Sequence, residues 1–294
     1  MADNWRSEMN SRYLSRLLKF GISLLFFGVI FLRDRLMSLL GHAKPGGCVV
    51  LYYHAVAKKH RELFARQMDL ILRCAKPIPA NQEEPCGLGG RYVAVTFDDG
   101  LESVLENALP ELESRRIPST MFIVVQALGD FPCWMPDSPR SDPTQKVMSI
   151  EQLRHLSSEL VTVGSHTLTH PNLCLVDQAQ ACREISDSRT ELQRILNIDV
   201  SLFSFPYGAF NSTLIQTCRD AGYERVFTTL PVLAFGGLKE FVSGRVTVEP
   251  TDWPIEFRLK ILGAYRWLPL AFALKRKLRS GFSADTRSGM QEEL

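Results

Sequence analysis

The sequence predicts an α/β fold, a barrel or an open sheet built on parallel strands. Three observations carry this. From Gly46 onward, short β-rich runs alternate with helical stretches, the order that strand–helix–strand units produce. The runs are mostly continuous apolar rather than alternating, as strands covered on both faces are. Four of them end in polar residues, at the end where α/β barrels gather their active sites.

The strand runs are 48–53, 92–97, 120–125, 161–165, 202–205 and 225–229, with a weaker one at 242–248. Helical patterns cover 101–115, 150–159, 175–196 and 212–222, the last with Gly222 placed to end it. Segments 80–90 and 131–144 are rich in proline, glycine and polar residues, so they read as loops. The second is long enough to form a rim beside a cleft.

At 294 residues, 45% hydrophobic and 22% charged, the chain accommodates one barrel of roughly 250 residues with a short extension. The net charge of +2 does not call for nucleic acid, and no basic-aromatic stripe for single strands occurs. The seven cysteines are scattered without a CxxC pair. They form neither a disulfide framework nor a thiolate zinc site, and they lean toward a reducing compartment.

The polar residues at strand ends are the informative ones. Asp98 and Asp99 follow VAVTF, His166 follows VTVGS, Pro206 and Tyr207 follow SLFSF, and His54 follows VVLYY. His166 and His170 stand four apart, a spacing that aims two imidazoles at a shared ion on one turn or compact loop. One added carboxylate makes a two-histidine, one-carboxylate site with room for water. Such a site suits zinc, or cobalt, nickel, manganese or iron. Of two adjacent aspartates, one ligates while the other stays free as a base toward the attacking water, and a divalent cation offsets their repulsion. Alone, the histidines read as surface residues and Asp98-Asp99-Gly100 as a turn with a helix N-cap. Together they read as a metal site.

TFDDG (Thr96 to Gly100), SHTLTHP (Ser165 to Pro171) and FPYG (Phe205 to Gly208) resemble, in order and spacing, three signature motifs of the NodB-type polysaccharide deacetylases, carbohydrate esterase family 4. The resemblance covers about 48–263. It implies a distorted (β/α) barrel and hydrolysis of the N-acetyl group of an N-acetylated sugar with one divalent metal, zinc foremost. It implies Asp98 as general base and Asp99, His166 and His170 as metal ligands. It also implies that the Tyr207 backbone amide holds the oxyanion and that Pro206 shapes the groove wall.

Two departures stand out. The family's late Leu-x-His motif, which supplies the acid, is missing, since no histidine follows His170. His54, in VVLYYHAV, is the expected replacement. A similar Tyr-His element precedes the metal motifs in deacetylases of the poly-N-acetylglucosamine type, which look like a permuted version of the barrel. The third motif also lacks its usual arginine, and Arg245, which opens RVTVEP, is expected to supply the charge that orients the base. Asp252-Trp253 resembles a fourth motif only superficially, so Trp253 reads as packing.

The N-terminus reads as a membrane-associated helix. Phe20 to Leu32 carries no charge, and Leu17 and Leu18 extend it past Lys19. That is near the lower limit for a spanning helix, roughly 17–25 residues. The run meets Arg33, Asp34 and Arg35 without a small-residue cleavage site, which favours an uncleaved anchor. Arg6, Arg12, Arg16 and Lys19 precede it, and Arg33, Arg35 and Lys44 follow. Orientation is therefore open, and a helix dipping into one leaflet suits the pattern as well as a span. A second stretch, Trp267 to Leu274 followed by Lys275, Arg276, Lys277 and Arg279, fits an anionic membrane surface or an ordinary outer helix equally.

The expected organisation is an anchor at 1–44, a deacetylase catalytic domain at 45–280 and a polar tail at 281–294. The expected location is a bacterial-type inner membrane, with a lean to its cytoplasmic face. The expected partners are an N-acetylated glycan or lipid-linked sugar and membrane lipid. Two other functions compete: a metal amidohydrolase acting on a small non-sugar amide, and a catalytically silent carbohydrate-binding protein. The full set of Asp98, Asp99, His166 and His170 speaks against the second.

Overall fold

The strands have two buried faces, and the two faces differ. The structure, a computed structural model, describes residues 2–42, 46–84, 86–134, 145–156, 159–238 and 240–274. The expected basic residues Lys44 and Lys275 to Arg279, most of the 131–144 rim loop, and the 281–294 tail lie outside the described residues.

In chain order the elements are α1 (Ala2–Leu39), β1 (Gly47–Tyr53), α2 (Arg61–Cys74), β2 (Lys76–Pro77) and β3 (Arg91–Phe97). Two short helices follow, α3 (Glu102–Asn107) and α4 (Leu109–Ser114), then β4 (Ser119–Ile123), α5 (Ile150–Arg154) and β5 (Val161–Ser165). The remainder is α6 (Gln178–Leu196), β6 (Leu202–Ser204), α7 (Ser212–Asp220), β7 (Arg225–Phe227), β8 (Val242–Ser243), β9 (Val246–Thr247) and α8 (Pro254–Ile261).

All strand pairings are parallel. The order across the sheet is β8-β7-β6-β5-β4-β3-β1-β9, with β2 also beside β3. The two edge strands, β8 and β9, are separated in sequence by Gly244 and Arg245 alone. A two-residue step joins opposite edges of the sheet, so the sheet is curled into a distorted barrel. The expected single strand at 242–248 is therefore two strands that serve different edges.

Along β1, Val49, Leu51 and Tyr53 belong to the large cluster beneath the helices, while Cys48 and Val50 point to the other side. In β3, Val93, Val95 and Phe97 face the helices and Ala94 faces inward. The barrel interior is filled by Cys48, Val50, Ala94, Phe122, Leu202, Phe227 and Phe235. Burial on both faces is the reason these strands read as continuous apolar runs.

Helix 101–115 is broken at Ala108, because Pro110 sits in the first turn of α4 and can neither donate an N–H nor fit inside a longer helix. α6 starts at Gln178 because the Asp177 carboxylate accepts from the Gln180 N–H at 2.8 Å, an N-cap. β4 stops at Ile123, and Val125–Ala127 forms one tight 3-10 turn.

Gly164 in β5 makes room for an aromatic ring. A Cβ added there would lie 2.6 Å from the Phe122 ring and 3.0 Å from the Leu202 carbonyl. Gly164→Ala is expected to destabilise the fold by about 1–3 kcal/mol through overpacking. Urea unfolding of the variant against wild type measures it.

Candidate metal centre and active site

Parallel register brings the polar strand ends to one rim. Tyr53 pairs with Phe97, so His54 and Asp98 leave their strands side by side. The Asp98 N–H donates to the Tyr53 carbonyl at 2.9 Å, and the His166 N–H to the Ile123 carbonyl at 2.8 Å.

Asp99, His166 and His170 converge. His166 Nε2 lies 3.7 Å from Asp99 Oδ1, and His170 Nε2 lies 3.4 Å from the same atom. All three side chains are buried. The tautomer of His166 follows from its neighbour. Its Nδ1 sits 2.8 Å from the Ser204 carbonyl, which only accepts, so Nδ1 carries the proton and Nε2 turns a lone pair into the site. That is the arrangement of a metal-binding histidine. Burial above all presses the His170 imidazole down to about 2, so it is neutral. Burial pushes the Asp99 carboxyl up, with Asp98 adding to the push. Asp99 Oδ1 is buried, makes no hydrogen bond and faces two imidazole nitrogens. A buried acceptor so placed lacks a cation, and the donor set fits a divalent one.

Asp98 lies beside these ligands in a different setting. Arg245 grips it with two bonds, Nη1 to Oδ1 at 2.7 Å and Nη2 to Oδ2 at 2.8 Å. Burial alone would raise Asp98, but the Arg245 guanidinium overrides it and holds the carboxyl well below the usual carboxylate range. Arg245 is itself fully buried, 4.6 Å from the Tyr52 ring and 5.3 Å from Phe122. It also donates to Thr96 Oγ1 at 3.2 Å and Ser204 Oγ at 2.7 Å. The structure thus brings Arg245 to Asp98.

His54 is exposed at the mouth, edge-on to Tyr52 at 5.6 Å. Tyr207 is 59% exposed and sets its ring edge 4.8 Å from His170, while Pro206 is buried. Tyr207 and Gly208 both hold positive φ, 57° and 64°. Asp99 at 71°, Thr167 at 73° and His170 at 63° do the same. Backbone strain in non-glycine residues gathers at functional sites, and here it sits in all three motifs. The N-cap alternative for Asp98-Asp99 is not realised, since Leu101 is the cap residue of α3 and makes no side-chain capping bond. Trp253 packs edge-on against Tyr13 and Phe20, with Arg16 over its ring at 4.5 Å.

Three contributors lie outside the sequence motifs. Glu184, buried on the apolar face of α6, accepts from the Leu168 and Thr169 N–H groups at 2.9 Å each and from Thr169 Oγ1 at 2.6 Å. It clamps the loop between the two histidines. A carboxylate at a core position of an amphipathic helix was the available signal. Ser204 links Arg245, Asp98 and His166. Trp134 stacks on His170 at 4.6 Å, its Nε1 beside Asp99 but without a hydrogen-bond partner.

Residues 87–226 match the family model for polysaccharide deacetylase. That span holds both aspartates, both histidines, Pro206 and Tyr207, but neither His54 nor Arg245. A chitooligosaccharide deacetylase of Sinorhizobium fredii (strain NBRC 101917 / NGR234) is 24% identical over 142 residues, covering 48% of this chain and 58% of its own length. A poly-beta-1,6-N-acetyl-D-glucosamine N-deacetylase of Staphylococcus aureus (strain MRSA252) is 24% identical over 147 residues, 47% of this chain and 48% of its own. The chain spans about half the length of the curated relatives it matches. The structure of IcaB from Ammonifex degensii superposes with a TM-score of 0.61 at 24% identity, over 74% of this chain and 98% of that one, a likeness of fold.

Two predictions follow from this geometry. Glu184→Ala frees the ligand loop and is expected to weaken metal affinity about 10–100-fold, read by chelator competition. Arg245→Met leaves Asp98 buried without its partner and is expected to cost about 3–5 kcal/mol. Adding Asp98→Asn should recover part of that loss in a double-mutant cycle by urea unfolding.

Proposed function

We propose that this chain, which carries a polysaccharide deacetylase domain across residues 87–226, hydrolyses the N-acetyl group of an N-acetylated sugar in a polysaccharide or a lipid-linked glycan at a membrane. One observation carries the proposal. An unpartnered buried carboxylate oxygen faces two imidazole nitrogens, and a second carboxylate beside it is kept ionised by a buried arginine.

Asp99, His166 and His170 would hold one divalent cation, for which the nitrogen-rich donor set favours zinc. When bound, such an ion polarises the amide carbonyl and offsets the charge of the paired aspartates. The protein's own groups do the rest. Asp98 takes a proton from the water that attacks the acetyl carbon. Arg245 keeps Asp98 ionised beside Asp99 and fixes the direction of its lone pairs through two bonds. Asp98 is thus a well-oriented but weak base, suited to passing its proton on rather than keeping it. The Tyr207 backbone amide, on its left-handed turn, faces the developing oxyanion. His54, exposed at the rim, gives a proton to the leaving amine. Trp134 and Tyr207 flank His170 and form aromatic walls for a sugar ring.

Acetate release from N-acetylglucosamine oligomers tests the proposal. Asp98→Asn is expected to lower turnover about 10²–10⁴-fold while keeping one equivalent of metal by elemental analysis. His54→Ala should lower turnover with metal content unchanged. Unaltered turnover in Asp98→Asn would refute the assignment.

A further inference from the structure

We infer that α1 lies in the plane of a membrane surface rather than across the bilayer, with its outward leucine stripe as the lipid-binding face. This rests on the membrane location proposed above and adds the geometry of attachment.

α1 is apolar enough over Tyr13–Leu39 to cross a membrane, and 6% of its most apolar window is buried. Yet one face is docked from Arg16 to Phe27. Arg16 donates to the Glu256 carboxylate of α8 at 2.6 Å. Phe20 sits against Trp253 at 5.8 Å. Ser23 is buried and accepts from the Trp267 indole N–H at 2.9 Å. Phe20 and Phe27 pack on the cluster of Leu259, Ala264 and Tyr265. Farther on, Arg33 and Asp34 act electrostatically on Arg266. Arg16, Phe20, Ser23 and Phe27 step by four, three and four residues, and Asp34 lies seven beyond Phe27, so these five share one face.

From Arg16 to Asp34 that face runs about 27 Å at 1.5 Å per residue, close to the roughly 30 Å hydrocarbon thickness. A spanning α1 would carry α8 and its charged cluster into the hydrocarbon. That cluster is Asp252, Glu256 and Lys260, with Lys260 Nζ 2.6 Å from Asp252. The cost of burying such charges in lipid is severe. In-plane placement avoids it, because only the opposite face meets lipid.

That opposite face is built for lipid. Leu14, Leu18, Leu25, Val29, Leu32 and Leu36 form a stripe, each more than half exposed. Leu270, Phe272 and Leu274 are also exposed, just beyond Leu268, which packs beside Phe20 and Phe27. Exposed Lys19, Arg33 and Arg35 supply positive charge for anionic headgroups. α8 follows β9, whose C-terminal end lies at the active-site rim, and the start of α8 meets the N-terminal part of α1 at Trp253.

The test uses the full chain with Cys133 and Cys174, the exposed thiols, replaced by serine. Ser7→Cys and His42→Cys bracket α1. In bacterial spheroplasts labelled with a membrane-impermeant maleimide, in-plane attachment makes both cysteines behave alike, both labelled or both protected until lysis. Opposite behaviour means a span and overturns the orientation. Separately, the purified chain should float with phosphatidylethanolamine–phosphatidylglycerol vesicles. Leu25→Glu with Leu32→Glu should cut the bound fraction at least about tenfold while acetate release from soluble oligomers is unchanged. Failure of the wild type to float, with the double variant converting a dimer to a monomer, would assign the stripe to a second copy and overturn the lipid reading. Neither outcome bears on the deacetylase reading, which stands or falls on acetate release.

Discussion

A buried guanidinium inside a curled sheet is the constraint on which the rest of this molecule depends. Arg245 is fully buried, ringed by Tyr52, Phe122 and Phe227, and its charge is met by the two oxygens of Asp98. Such a charge is tolerated only when paired and fully hydrogen-bonded. Its remaining bonds go to Thr96, Ser204 and the Thr228 carbonyl. The residue sits in the step from β8 to β9, where the two edges of the sheet come together. Closure of the barrel and orientation of Asp98 are therefore one event. The small side chains inside the strands, Gly164 among them, leave the volume this arrangement needs.

The candidate ligand set is held by a second layer of ordinary hydrogen bonds. The Ser204 carbonyl fixes the tautomer of His166, and the Glu184 carboxylate ties down the loop that delivers His170. Left-handed residues recur at the site, in Asp99, Thr167, His170 and Tyr207. Each costs conformational energy that the surrounding bonds must offset. What they achieve is direction. A strand can point a side chain up or down, and only a sharp turn just past its end points several side chains at one spot.

Outside the barrel, α1 and α8 meet through opposite physics on opposite faces. The inner face of α1 carries an arginine, a serine and aromatic rings matched to an acidic patch and a tryptophan. The outer face carries leucines matched to nothing among the described residues. A purely spanning helix has no use for so long a polar and aromatic seam, and a purely soluble one has no use for the leucines.

Much of the site was legible in the sequence. Apolar runs ending in Asp98-Asp99, His166 and Pro206-Tyr207 announced parallel strands with chemistry at one end, because a parallel sheet aligns all its C-terminal ends. The spacing of His166 and His170 pointed to two imidazoles at one spot, and the structure sets both against Asp99, because four residues are too few to separate them far. Tertiary structure decided the rest. That Arg245 reaches Asp98 depends on the first and last strands meeting, a contact across 147 positions that no local pattern encodes. Glu184 and Trp134 became part of the site only when α6 packed beside it and Trp134 stacked on His170. The pairing of α1 with α8 likewise exists only in three dimensions, because hydropathy measures how apolar a helix is and not which of its faces the protein already covers.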